Sequence, residues 1–225
     1  DRIAEMARKL GIGIEHDLPM SAVATGIAPD RAWKKERFDK PWVVGDSLNA
    51  SIGQGFVLAS PLQLAVMTAR VATGREVKPR LVRAIDGVPE PTPEFADLGI
   101  ADKHLRAARR GMDAVMNAAG GTAAKSRIVT EEWRMAGKTG TTNESKDSWF
   151  SGYNADYVTT VWAGFDQPES LGRHEYGGTV ALPIWMNYMG VVLKDRPNHL
   201  PKEPKGLVTL RVDPVSGRAA APGRW

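Results

Sequence analysis

Apolar positions recur at helical spacing in four stretches, and three others read as strands. Asp1 can cap a helix that puts Ile3, Met6, Ala7 and Leu10 on one face before Gly11 closes it. Ser60, followed by Pro61, opens a second helix, from Leu62 to about Thr73, that stops at Gly74. Leu62, Leu64, Val66, Met67, Ala69 and Val71 leave it apolar on nearly every side, the pattern of a buried helix. A third helix covers about Asp102 to Asn117 and turns Leu105, Ala108, Met112, Val115 and Met116 inward. The fourth runs from Leu182 to Leu193 with Ile184, Trp185, Tyr188, Met189 and Val192 as its packing stripe.

The strand stretches are Arg134–Thr142, Ser148–Tyr153 and Tyr157–Phe165, in quick succession. Connections this short make neighbours pair antiparallel. In the last stretch Tyr157, Val161 and Phe165 face one way, Val158 and Trp162 the other, so both faces need cover. The expected fold is therefore α/β of the α+β kind, an antiparallel sheet with helices on both faces. Val77 to Ile85 is a further candidate strand. The stretch up to Pro41, residues 42–59 with their three glycines, and Asp86 to Asp97 with Pro89, Pro91 and Pro93 all read as loops. Residues 1–195 form the main unit; 196–225 form a proline-containing segment and a small hairpin, Val208–Val212 with the turn Asp213-Pro-Val-Ser-Gly217.

Composition narrows the function. At 225 residues and 42% hydrophobic content the chain can bury a core. The net charge of +4 is scattered, and its densest run, Arg31 to Lys40, is interrupted by Glu36 and Asp39. That reads as a solvated surface and argues against nucleic acid. No stretch reaches the length of a membrane span. Without cysteine there is no thiol catalysis, disulfide or thiolate metal site. His16, His104, His174 and His199 have no ligand spacing and read as surface residues; neither metal nor cofactor is expected. Glu131 and Glu132 read as solvated.

The candidate chemistry sits in Lys138-Thr139-Gly140-Thr141-Thr142. A lysine on an edge strand offers a cation to a substrate carboxylate, and the next threonine offers a hydroxyl. Glycine lets a ligand backbone approach. An open edge can add a peptide as one more strand. The Thr141 amide can face a developing oxyanion, a contribution of roughly 3 kcal/mol to the transition state in comparable sites. Thr141 and Thr142 add hydroxyls on alternate faces. None of the ten serines is followed by lysine three positions on.

The sequence around this motif resembles the penicillin-binding transpeptidases. Residues 1–142 resemble the monofunctional, elongation-type class B branch. They do so through Asp17-Leu-Pro-Met-Ser-Ala-Val-Ala-Thr25, Gly45-Asp-Ser-Leu-Asn-Ala-Ser-Ile-Gly-Gln-Gly55, Ala59-Ser-Pro-Leu-Gln-Leu64 and Gly121-Thr-Ala123. From Gly137 onward the chain resembles the bifunctional class A branch, through Lys138-Thr-Gly-Thr-Thr-Asn-Glu-Ser-Lys-Asp147, Trp149-Phe-Ser-Gly-Tyr-Asn154, Val161-Trp-Ala-Gly-Phe-Asp166 and Glu175-Tyr-Gly-Gly178. The resemblance implies the penicillin-binding fold, N-terminally incomplete here, and a parent D,D-transpeptidase that cross-links peptidoglycan by serine acyl transfer. Lys138, Thr139 and Gly140 take the family's catalytic Lys-Thr-Gly role, and Thr141 with Thr142 the oxyanion and substrate-binding role. Stem peptides and β-lactams are the implied ligands and the cell-wall synthesis machinery the implied partner, at the periplasmic face of the inner membrane.

The family's Ser-x-x-Lys nucleophile and Ser-x-Asn element are expected upstream of Asp1. Ser47-Leu48-Asn49 fits Ser-x-Asn by letters, so Ser47, Asn49 and Gln54 are candidates for the site rim. The segment alone is expected to be inactive. Two other readings remain: a non-catalytic, peptide-binding remnant with the same sheet, and a β-lactamase-type hydrolase, against which the tail from Glu175 speaks.

Overall fold

The structure, a computed structural model, describes residues 1–126 and 134–197. Four helices lead the chain: α1 (Arg2–Leu10), α2 (Arg31–Phe38), α3 (Val44–Ser51) and α4 (Pro61–Thr73). A two-residue hairpin, β1 (Ala84–Ile85) and β2 (Val88–Pro89), precedes α5 (Asp102–Asn117). The main sheet follows as β3 (Ala136–Thr141), β4 (Asp147–Tyr153) and β5 (Val158–Gly164), and α6 (Ala181–Leu193) closes the described fold. The expected hairpin at 208–217, His199 and the Glu131-Glu132 pair lie outside the described residues.

The sheet has the order β3-β4-β5, antiparallel throughout. Gly140 pairs with Trp149, Thr141 with Ser148, and Phe150 with both Thr139 and Val161. Phe150 and Trp185 are fully buried and meet edge to face at 5.0 Å. Around them gather Met116, Met135, Leu182, Met189 and Leu193, the core of the molecule. Trp185 also donates its Nε1–H to the Thr159 carbonyl at 3.0 Å, so the indole is buried with its polar atom satisfied. With α6 filling the Phe150 face, α4 packs on β4 and β5 from the other side. The expected two-sided cover of the sheet is present.

Helix α4 is fixed at its start by a reciprocal cap. Ser60 Oγ accepts from the Gln63 amide at 3.2 Å, and Gln63 Oε1 accepts from the Ser60 amide at 3.1 Å. Its deepest side chains are polar: Gln63 donates to the Ile14 and Thr25 carbonyls, and Arg70 to those of Lys9 and Val77. These bonds tie loops and the end of α1 to the helix and satisfy groups that burial would otherwise penalise.

Several expectations are corrected. The stretch up to Pro41 holds α2, capped where Asp30 accepts from the Trp33 amide at 2.8 Å. Residues 42–59 hold α3, where Asp46 accepts from the Val43 amide at 2.7 Å. The charged run Arg31 to Lys40 is not wholly solvated: Lys34 is buried and bonds Asp46 at 2.5 Å. Trp33, Phe38 and Phe56 form an aromatic cluster beside it, with the Lys34 ammonium 5.8 Å from the Phe56 ring. Strand geometry in Val77–Ile85 is limited to Ala84–Ile85. His16 is buried, its Nε2 3.0 Å from the Gly11 carbonyl oxygen, rather than a surface group. Ile3 and Met6 of α1 and Ile184 and Tyr188 of α6 are exposed, so those two helices present different faces from the ones periodicity suggested; α5 turns Leu105, Met112, Val115 and Met116 inward as expected, with only Ala108 of that set exposed.

Candidate active site

Strand β3 lies at an end of the sheet, with β4 on one side and no strand on the other among the described residues. Its first part is buried: Asn117 of α5 donates to the Met135 carbonyl at 2.9 Å, and Ala136 and Gly137 are covered. Lys138 and Thr141 are exposed, with Thr139 and Gly140 half-buried between them. The strand thus emerges from the core where the Lys-Thr-Gly motif begins.

Backbone direction follows from one bond. The Thr142 amide donates to the Asp147 carbonyl at 3.1 Å, toward β4. Successive amides in a strand alternate in direction, so those of Thr141 and Thr139 point to the open edge, and the Thr139 carbonyl with them. The Lys138 ammonium reaches over that edge and donates to the Thr139 carbonyl at 2.7 Å. Thr139 Oγ1 lies 3.3 Å from Thr122 Oγ1, on the turn that follows α5. The edge therefore presents a cation, an outward amide and two hydroxyls within a few residues.

The other two threonine hydroxyls have internal partners. Thr141 Oγ1 accepts from the Gly177 amide at 2.9 Å. Thr142 Oγ1 accepts from the Asp147 amide at 2.8 Å and donates to the Asp147 carboxylate at 3.1 Å, and that carboxylate also accepts from Trp162 Nε1 at 2.9 Å. What Thr141 offers outward is its amide, and Thr142 and Asp147 shape the turn after it. Within that turn, a hydrogen bond and charge from Lys146 hold the Glu144 carboxyl below its ordinary range.

The proposed rim residues have partners within and beside α3. Ser47 sits in α3, its Oγ accepting from Trp42 Nε1 at 2.9 Å. The Asn49 carbonyl accepts from the Ile52 and Gln54 amides. Helix α3 packs on α1, and no hydrogen bond joins it to β3 among the described residues. Open concavities mark the surface of the described residues. One belongs to the loops around Lys78 and Phe95; another, lined by Glu144, Ser145, Arg173, His174 and Tyr176, flanks the far end of β3. Among the described residues no group of three or more acidic or histidine side chains could hold a metal.

Sequence reasoning missed Thr122, Ser148, Tyr176 and Gly177 as neighbours of the motif. The stretches Gly121-Thr-Ala123 and Glu175-Tyr-Gly-Gly178 were visible in the resemblance, but nothing local says that they fold onto β3.

The model of the penicillin-binding protein transpeptidase domain matches residues 1–190. This chain belongs to that family. Both branches of the transpeptidases recur among its relatives. Penicillin-binding protein 1A of Pseudomonas aeruginosa is 74% identical over 89 residues, which is 40% of this chain and 11% of that protein. The Neisseria lactamica protein of the same name is 57% identical over 74 residues, 33% of this chain and 9% of its own length. Among solved structures, Pseudomonas aeruginosa PBP2 superposes with a TM-score of 0.73 at 30% identity, covering 90% of this chain and 46% of that one. Helicobacter pylori PBP2, solved in complex with MreC, gives a TM-score of 0.68 at 28% identity, covering 85% and 35%. This transpeptidase segment therefore spans about a tenth of the length of those curated relatives and less than half of the solved chains.

Proposed function

We propose that this chain forms the substrate-holding side of a serine D,D-transpeptidase site in its parent protein. The single observation that carries the reading is the open edge of β3, where the Lys138 ammonium and the outward Thr141 amide stand on one exposed ribbon. The stem peptide lies along that edge, and Lys138 and Thr139 bind its terminal carboxylate. A nucleophilic serine on a Ser-x-x-Lys helix, a motif absent from these 225 residues, attacks the penultimate D-Ala carbonyl. Its proton passes to the helix lysine and then to the leaving amine of the terminal D-Ala. The oxyanion formed accepts from the Thr141 amide. A neighbouring stem amine then resolves the ester and completes a cross-link. A β-lactam enters the same path, with its ring C–N bond as the one that breaks. The parent works at the periplasmic face of the inner membrane with the cell-wall synthesis machinery.

A second reading has its own support. The same edge can bind extended peptides by strand addition without any acyl transfer. Labelling the full-length parent with fluorescent penicillin separates the two. Wild-type protein labels, and Lys138→Ala lowers the labelling rate by at least roughly tenfold, within the range known for such electrostatic groups. Unlabelled wild-type protein, or undiminished labelling of the variant, contradicts the transpeptidase reading.

A further inference from the structure

We propose that Gly177 is a positioning residue, the keystone of a clamp that sets where the Thr141 amide points; this inference rests on the transpeptidase reading of β3. The turn at residues 174–180 lies on the sheet at the Gly140–Trp149 pair. A Cβ placed on Gly177 would stand 2.5 Å from the carbonyl oxygens of both Gly140 and Trp149, and 3.0 Å from the Gly140 nitrogen. These are backbone atoms of two paired strands, so they cannot swing aside as a side-chain tip would. Only a residue without a side chain lets the turn come this close.

Close approach is what makes the hydrogen bonds possible. The Gly177 amide donates to Thr141 Oγ1 at 2.9 Å. Ser148, opposite Thr141 in the ladder, is buried and donates from its Oγ to the Tyr176 carbonyl at 3.0 Å. The same Oγ accepts from the Ala181 amide at 3.2 Å, and the Gly177 carbonyl accepts from the Leu182 amide at 2.9 Å. The turn is thereby fastened to the start of α6, whose other end of the connection is the fully buried Trp185. Thr141 thus has its side chain held from one face and its amide directed to the open edge. Gly177 acts through the Gly140 backbone and the Thr141 hydroxyl.

The first test reads the clamp without any activity. In the 225-residue chain, the Gly177 amide is expected to be protected from hydrogen exchange. Thr141→Val keeps the shape but removes the acceptor and abolishes that protection, while Thr141→Ser restores it. Equal protection in all three overturns the clamp. The second test reads its consequence in the full-length parent. Gly177→Ala and Thr141→Val are expected to slow penicillin acylation at saturation by at least roughly tenfold, the cost of a small misplacement of a reacting-site donor. Their half-saturating penicillin concentration should stay within about twofold, because the carboxylate contacts at Lys138 and Thr139 remain. Thr141→Ser, which keeps the hydroxyl acceptor, is expected to recover most of the acylation rate that Thr141→Val loses. If Gly177→Ala does not fold, the two Thr141 variants decide the matter. Loss in Lys138→Ala with no loss in Gly177→Ala or Thr141→Val overturns this inference alone. No loss in Lys138→Ala overturns the reading beneath it.

Discussion

At the scale of single residues, charge and capping are concentrated at Asp30 and Asp46. Asp30 caps α2 and accepts from Arg8 at 2.6 Å, which ties α1 to α2. Asp30→Ala is expected to lower stability by about 1 kcal/mol through the lost cap, measured by urea unfolding. The Trp33 amide, ahead of Arg8, holds the Asp30 carboxyl below its ordinary value. The hydrogen bond from Lys34, with help from the Val43 amide, does the same for Asp46. Both groups have folded pKa values below their unfolded ones. Their stabilisation is therefore complete above the ordinary aspartate pKa, about 3.9, and is lost as pH falls through the depressed values. Melting temperature against pH should fall on the acid side, and the Asp30→Asn, Asp46→Asn double variant should show a shallower fall. An acid limb of unchanged slope would contradict the assignment. Lys138, Thr139 and Gly140 were readable as a candidate site because the motif is contiguous and its chemistry local. Gly177 was not, since its role depends on a contact between residues far apart in the chain.

At the scale of elements, the sheet was legible and two helices were not. The β3–β5 meander has short connections, so antiparallel pairing follows from the sequence. Helices α2 and α3 each have eight residues and few apolar positions. They are held by Asp30, by Asp46 and by the Lys34–Asp46 pair, which no periodicity reveals. In α6 the difficulty is the reverse. Its run Ala-Leu-Pro-Ile-Trp-Met is apolar on every side, so the sequence does not say which face turns inward. The structure chooses Leu182, Trp185, Met189 and Leu193. Trp185→Ala should then cost about 3–5 kcal/mol, the range for emptying a buried aromatic site. Ile184→Ala, on the exposed face, should cost less than about 1 kcal/mol. Equal losses would show that the helix packs the other way round. Because α6 anchors the turn that clamps Thr141, Trp185→Ala should also loosen the Gly177 amide toward exchange.

At the scale of the whole molecule, the described fold is a three-stranded sheet with a helix layer on each face and its motif on one edge. In the proposed reading, that arrangement separates holding a substrate from attacking it. The chain carries the Lys-Thr-Gly ribbon, but none of its serines stands three residues before a lysine. Incubation of the 225-residue chain with a β-lactam should leave its intact mass unchanged, and a stoichiometric mass gain would show that another nucleophile serves. Binding without acylation remains open to the same chain, and it probes the account at its centre. The decisive measurement is a backbone amide NMR titration of the chain with a short acyl peptide ending in D-Ala-D-Ala. The account predicts saturable shifts centred on Lys138 to Thr142, largest at the outward amides of Thr139 and Thr141. Shifts that avoid β3, or that leave the Thr141 amide unmoved at saturation, would contradict it.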